Sequence, residues 1–231
     1  MKMRRGKLFA IEGTDASGKA TQTDLLFLRL EREKIPIKWF TFPVYNSPTG
    51  KIIGGPLLGK AEIGPSYFEK ASEVDPFVGS ALYVADRRYH LPFINETLDS
   101  GINMSIDRYV YSNMIHQGGK IRDKNKREQF YRWLEKLEFE MFELPRPDVT
   151  TFLHMPTKYA IELKSKMINK GIHLDEVEKD YNYLKNSEES ALHLAELYNW
   201  KMISCVKNGK IRSPQDIHEE VYSIFKATLN S

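Results

Sequence analysis

A single cysteine, Cys205, leaves this 231-residue chain nothing from which to build an intramolecular disulfide or a cysteine-based metal cluster. It lies in the apolar stretch KMISCV, where a buried strand residue is expected rather than a nucleophile. Long apolar runs are missing too. Lys2, Arg4, Arg5 and Lys7 form a basic start, but no apolar segment follows, so neither a signal peptide nor a membrane span is expected, and the cytoplasm is the expected compartment. Charge of one sign is also scarce. The formal net charge is only +3, with acidic residues interspersed among basic ones, so no nucleic-acid-binding tail is indicated while anionic small ligands stay compatible. Internal repeats and low-complexity segments are absent as well, and the length suits one domain with one well-filled core.

What is present is organised around Lys7 to Asp24. Lys7 to Glu12 reads as a short apolar-rich strand, and it feeds GTDASGK, Gly13 to Lys19, which has the G-x-x-x-x-G-K spacing of a phosphate-cradling loop. The glycines let the backbone turn tightly, so that consecutive N–H groups converge on phosphate oxygens, and a helix beginning near Lys19 adds its positive end. Lys19 is then placed to reach the transferred phosphate. Ala20 stands where a magnesium-coordinating hydroxyl is usual. Thr21 carries a hydroxyl, but one step along a helix rotates it by about 100°, so it is no ready replacement.

The rest alternates between strand and helix signals. Helix is expected over Thr21 to Leu30, strand over IKWFTF with Pro43 closing it, and loop with short helical pieces over Asn46 to Pro65. A long helix follows from about Asp75 to Leu98, where Pro92 implies a kink or two helices. Asn103 to Ile106 can form a central strand that ends at Asp107, an acidic residue positioned to hold magnesium or its waters, with Arg108 beside it as a fork for a phosphate. Lys120 to Lys126 reads as a charged connection. Gln129 to Leu144 reads as a helix with a wide apolar face, suited either to the chain's own core or to a second subunit. Strands over PRPDVTTFLHM and KMISCV, helices over Tyr159 to Ile168 and Val177 to Asn199, a break at Asn169 to Gly171, a turn at GKIRS and a Ser213-capped final helix complete the pattern. Five strands alternating with helices give a three-layer α/β sandwich, here a P-loop NTPase fold with a five-stranded parallel sheet flanked by helices.

With these pieces placed, the chain resembles the thymidylate kinase family over nearly its full length. The blocks that carry the resemblance are EGTDASGKATQT, FPVY at Phe42 to Tyr45, ALYVADRR at Ala81 to Arg88, DRYVYSNMIHQGGK from Asp107, and LPRPDVTTFLHMP from Leu144. It implies an ATP- and Mg²⁺-dependent phosphorylation of thymidine monophosphate (dTMP) by a single kinase domain, usually homodimeric. ATP binding would fall to Gly13, Thr14, Asp15, Ala16, Ser17, Gly18, Lys19, Ala20 and Thr21. Acceptor binding would fall to Asp15 near the sugar, to Phe42 and Pro43, to Tyr83 stacked on thymine, to Arg87 and Arg108 on the phosphate, to Asn113 and Gln117 around the base and sugar, and to Glu178. Asp107 would hold the metal through water, and Lys19, Arg87, Arg108 and Asp107 would be the catalytic set. Two departures stand out: Val44 where FPRY is common, and a lid-like segment over about 156–178 with lysines but no arginine. A kinase of another deoxypyrimidine monophosphate and a nucleotide-binding relative with little activity stay open as alternatives.

Overall fold

β1 (Leu8–Gly13) is buried along its whole length, as a strand covered on both faces must be. In the computed structural model, which describes residues 4–68, 70–168 and 180–230, this strand is the centre of a five-stranded sheet. It is followed by α1 (Lys19–Arg32), the half-exposed edge strand β2 (Ile37–Thr41), the short α2 (Pro48–Ile52) with a π-helical turn after it, and α3 (Pro76–Asp99). The fully buried β3 (Asn103–Asp107) leads to α4 (Val110–Gly118) and α5 (Lys124–Glu135). β4 (Val149–His154), α6 (Thr157–Ile168), α7 (Tyr181–Leu197), β5 (Lys201–Ser204), a small hairpin of β6 (Val206–Lys207) and β7 (Lys210–Ile211), and α8 (Pro214–Leu229) complete the described chain.

The sheet order is β2-β3-β1-β4-β5, with every pairing parallel. Strand alternation makes the three layers. Leu8, Ala10, Met104, Ile106 and Phe152 face α3, α4, α5 and α7, whereas Phe9, Ile11, Leu153 and Ile203 face α1, α6 and α8. The connection from β1 runs to β2 at one edge, whereas that from β3 crosses to β4 on the other side of β1, which opens a crevice at the carboxyl ends of β1 and β3. The register Ile11↔Asp107 brings the end of β3 beside the start of the glycine loop.

Several expectations are corrected. Pro92 lies inside one continuous helix instead of dividing two; it is exposed, so the carbonyl left without an N–H partner can be hydrated. The charged connection is shorter than expected, because Asp123 accepts a hydrogen bond from Lys126 N at 2.8 Å and starts α5 at Lys124. The expected helix to Leu144 is α-helical only to Glu135 and then widens into a π-helical stretch, Lys136–Met141, which buries Glu138 and Phe139 in succession. The GKIRS turn is part of a hairpin turning on Asn208 and Gly209, at φ 52° and 70°, as an Asn-Gly pair favours. Ser213 caps α8 as expected, accepting from Asp216 N at 3.1 Å. Cys205 is fully buried just beyond β5, and burial raises its thiol to about 11, which leaves it inert. The expected break at Asn169 to Gly171 and the later part of the lid-like segment lie outside the described residues.

Candidate active site

The glycine loop is held from below by β4. Thr14 Oγ1 donates to Met155 O at 2.7 Å and accepts from Met155 N at 2.8 Å, so the loop's first turn is fixed to a neighbouring strand end. A Cβ on Gly13 would sit 2.5 Å from Ser17 Oγ and 2.7 Å from Leu153 O, which explains the glycine there. Gly18 caps α1 at φ 82°, in the left-handed region that glycine enters without strain. Lys19 folds back over the loop and donates from Nζ to Gly13 O at 3.1 Å and Thr14 O at 3.0 Å. Burial lowers its pKa to about 8, with the Arg108 charge acting in the same direction. Ala20 and Thr21 are exposed at the start of the helix.

Glu12, at the end of the apolar β1, is fully buried and was not anticipated as a site element. Its carboxyl group accepts from Tyr109 N at 2.8 Å, from Ser112 N at 3.1 Å and from Ser112 Oγ, and so caps α4. Burial raises its pKa, against those hydrogen bonds. An acidic residue within a buried strand was the signal: it needs partners, and the amino end of a helix supplies them. The cap fixes the start of the element that carries Asn113, His116 and Gln117.

Arg108 takes a left-handed φ of 61° between β3 and α4. Its guanidinium lies 3.6 Å from the Asp15 carboxylate and 2.9 Å from His116 Nε2. Burial, then the Arg108 charge, pushes His116 down to about 3, so the imidazole is neutral and Nε2 accepts from Arg108. Lys164 of α6, itself buried, closes on Asp15 from the other side at 3.1 Å. Burial alone would raise the Asp15 carboxyl, but the charges of Arg108, Lys164 and Lys19 hold it well below the ordinary aspartate range. Of the other lid-like lysines, Lys158 and Lys166 are exposed, Lys166 pairing with Glu162 at 2.8 Å. Lys170 and Glu178 fall outside the described residues.

Beside the loop opens a cleft of about 260 Å³. Asp15, Phe42, Pro43, Tyr83, Arg87, Arg108, Asn113 and Gln117 all line it, so every expected acceptor residue except Glu178 faces one cavity. Tyr45, Lys60, Ser112, His116 and Tyr183 line it too and were not singled out from sequence. The His116 and Tyr183 rings stack with centroids 6.0 Å apart, which joins α4 to α7. Arg87 is 2% exposed and is gripped by the fully buried Glu138 through Nε–Oε2 and a 2.7 Å Nη2–Oε1 contact. Among the described residues, Asn113 Oδ1, Gln117 Oε1, Asp107 Oδ1 and Ser17 Oγ are buried without a hydrogen-bond partner. Polar atoms left so are costly unless a ligand or water completes them.

A phosphate loop at the central strand, beside a cleft whose two arginines are each set against a carboxylate, fits a P-loop phosphotransferase that takes a second small anion. A family model described as thymidylate kinase matches residues 11–217. The chain is 28% identical over 215 residues to a probable thymidylate kinase of Methanocaldococcus jannaschii, covering 93% of each chain. It is 26% identical over 225 residues to the human thymidylate kinase, covering 96% of this chain and 90% of that one. The solved thymidylate kinase of Candida albicans shares the fold, with a TM-score of 0.72 at 22% identity, over 98% of this chain and 93% of that one. The chain belongs to the thymidylate kinase family, and its activity is the ATP-dependent phosphorylation of dTMP to the diphosphate.

Proposed function

We propose that the loop from Gly13 to Thr21 binds the ATP phosphates and that the adjoining cleft binds dTMP, its phosphate toward Arg108 and its base toward Tyr83, Asn113 and Gln117. The observation that carries this reading is that residues from the loop after β1, the β2 exit, α3 and α4 converge on one cleft. The acceptor oxygen is already anionic, so no general base is needed; alignment and charge stabilisation supply the rate. Lys19 exchanges its contacts with the loop carbonyls for the donor phosphates. Arg108, oriented by His116 and Asp15, holds the acceptor phosphate in line. Asp15 also lies on the sugar side of the cleft.

Arg87 takes a different part from the one expected of it. A guanidinium answered by a fully buried carboxylate forms a nearly neutral pair, so it attracts a dianion weakly yet still offers a directed N–H. In this proposal it faces the carbonyl edge of the base. Tyr83 covers the ring, and Asn113 Oδ1 and Gln117 Oε1 supply the acceptors that a pyrimidine N–H can satisfy.

For Mg²⁺, the fitting observation is the buried, unpartnered Asp107 Oδ1 beside the loop, with Ser17 Oγ also unpartnered. One carboxylate suits an ion that keeps most of its waters and takes its other ligands from substrate phosphates. Asp107 would hold it through water, and when bound it would neutralise and orient the phosphate oxygens.

Phe130, Leu134 and Phe139 belong to the protomer's own core, so the surface left for a homodimer is carried by Tyr89 of α3, 53% exposed, and Met141, 65% exposed. A dimer through this surface is part of the proposal, and sedimentation at low micromolar concentration tests it. No described helix is long and apolar enough to cross a membrane; a cytoplasmic place of work is proposed. The deciding experiment on the acceptor is kcat/KM for the four deoxynucleoside monophosphates with ATP and Mg²⁺. A preference for dTMP supports the reading, and a preference for a purine monophosphate ends it.

A further inference from the structure

The cationic side chains that line the cleft are Lys60, Arg87 and Arg108, and their charges are not equally available. Arg87 is answered by Glu138, and Arg108 lies against Asp15. Lys60 has no carboxylate partner among the described residues. Its Nζ lies 4.9 Å from the centroid of the Tyr45 ring, and Tyr45 lines the same cleft as Arg108. The stem of Lys60 is well placed to aim the ammonium. Its N–H donates to Gly54 O at 2.8 Å, and its carbonyl accepts from Ile63 N at 2.9 Å and Gly64 N at 3.0 Å, so the backbone is clamped while the half-buried side chain projects over the ring.

The strand exit opposite contributes no cation of its own, because Val44 packs against the core between Pro43 and Tyr45. A phosphate dianion entering beside Arg108 would therefore meet one guanidinium already shared with Asp15. We propose that Lys60 is a substrate-binding residue of this kinase, delivered by the segment after α2 to the acceptor phosphate across Tyr45. A cation resting on an aromatic face gains little at a partly exposed site, and it can leave that face for an anionic oxygen at small cost. A charge-assisted hydrogen bond to the phosphate is the stronger contact.

The inference rests on the acceptor-cleft reading, and its test separates the two. Calorimetric binding of dTMP and of thymidine, which lacks the phosphate, is compared for the wild type, Lys60→Ala, Lys60→Gln and Lys60→Arg, with the unfolding midpoint of each. The expected result is a dTMP affinity lowered about 10- to 100-fold in the Ala and Gln variants. Thymidine affinity should stay unchanged, and arginine should restore most of the dTMP affinity. Unchanged dTMP affinity in both neutral variants overturns the role of Lys60 alone. Equal loss for dTMP and thymidine also overturns it, because Lys60 would then only support the cleft wall. A wild type that takes neither compound overturns the acceptor cleft and this inference together.

Discussion

The glycine loop and the acceptor cleft do related work on phosphates with opposite construction. The loop is one continuous stretch whose working groups are mostly backbone amides, with Lys19 added and its shape set by Gly13 and Gly18. The cleft is assembled from side chains of the β2 exit, the segment after α2, α3, α4 and α7, with Asp15 of the loop, brought together from distant parts of the chain. Its polar groups are held by partners of their own: Glu138 for Arg87, Asp15 and His116 for Arg108, Glu12 for the start of α4. A site made of backbone needs a short motif. A site made of side chains needs a buried second set of residues, and no short motif specifies it.

The largest effect should come from the supports of the cleft. Glu138→Ala leaves Arg87 as a buried, unanswered charge and should destabilise the protein by about 3–5 kcal/mol in urea unfolding. Replacing both partners by apolar residues of similar volume should recover most of that stability without recovering dTMP binding. If Glu138→Ala is as stable as the wild type, the cleft does not depend on buried pairs and the contrast fails.

Lys19→Ala should act on the other region and in the other currency. Turnover should fall about 10²- to 10³-fold, the range for removing a group that stabilises transition-state charge. The unfolding midpoint should barely move, since the variant loses a cation that burial already disfavours. Retained turnover would remove the loop lysine from the chemistry.

Base selection is a smaller term. Purine monophosphates should be poor acceptors, while thymine and uracil should differ by only about 1–3 kcal/mol in transition-state binding, the worth of one methyl group. Ratios of kcat/KM measure both, and a larger thymine preference would mean that the cleft reads more than the methyl.

A pH effect distinguishes the regions further. With its pKa lowered to about 8, Lys19 in the free protein loses its proton more readily than an ordinary lysine. Bound phosphates favour the charged form, so ATP binding above about pH 8 should take up a proton, and ATP affinity should fall as pH rises through that range. Calorimetry in buffers of different ionisation enthalpy detects the uptake, and its absence at pH 9 would show that the free lysine is still charged. The smallest change expected is from Ala20→Ser, at an exposed position on the first turn of α1. It should shift the Mg²⁺ concentration needed for activity more than the KM for dTMP, which magnesium titration at fixed ATP shows.

By itself the sequence determined the loop and the α/β alternation, because both are written in short-range terms, glycine and lysine spacing and apolar strands; part of the cleft lining was reached through the resemblance carried by blocks such as FPVY and DRYVYSN. Even the Ser213 cap of α8 was legible, since a cap is a contact across three residues. Only the tertiary structure decided how the side chains are charged and aimed. Glu138 reaches Arg87 because a π-helical stretch buries it, and periodicity at three and four gives no hint of that stretch. Glu12 becomes the cap of a helix about a hundred positions away, Lys164 of α6 meets Asp15 of the glycine loop, and Lys60 rests on Tyr45. Such pairings depend on burial and on distances between remote segments. Removing a charge from water is costly enough that the partner it finds in the folded chain, rather than its place in the sequence, sets what it can do.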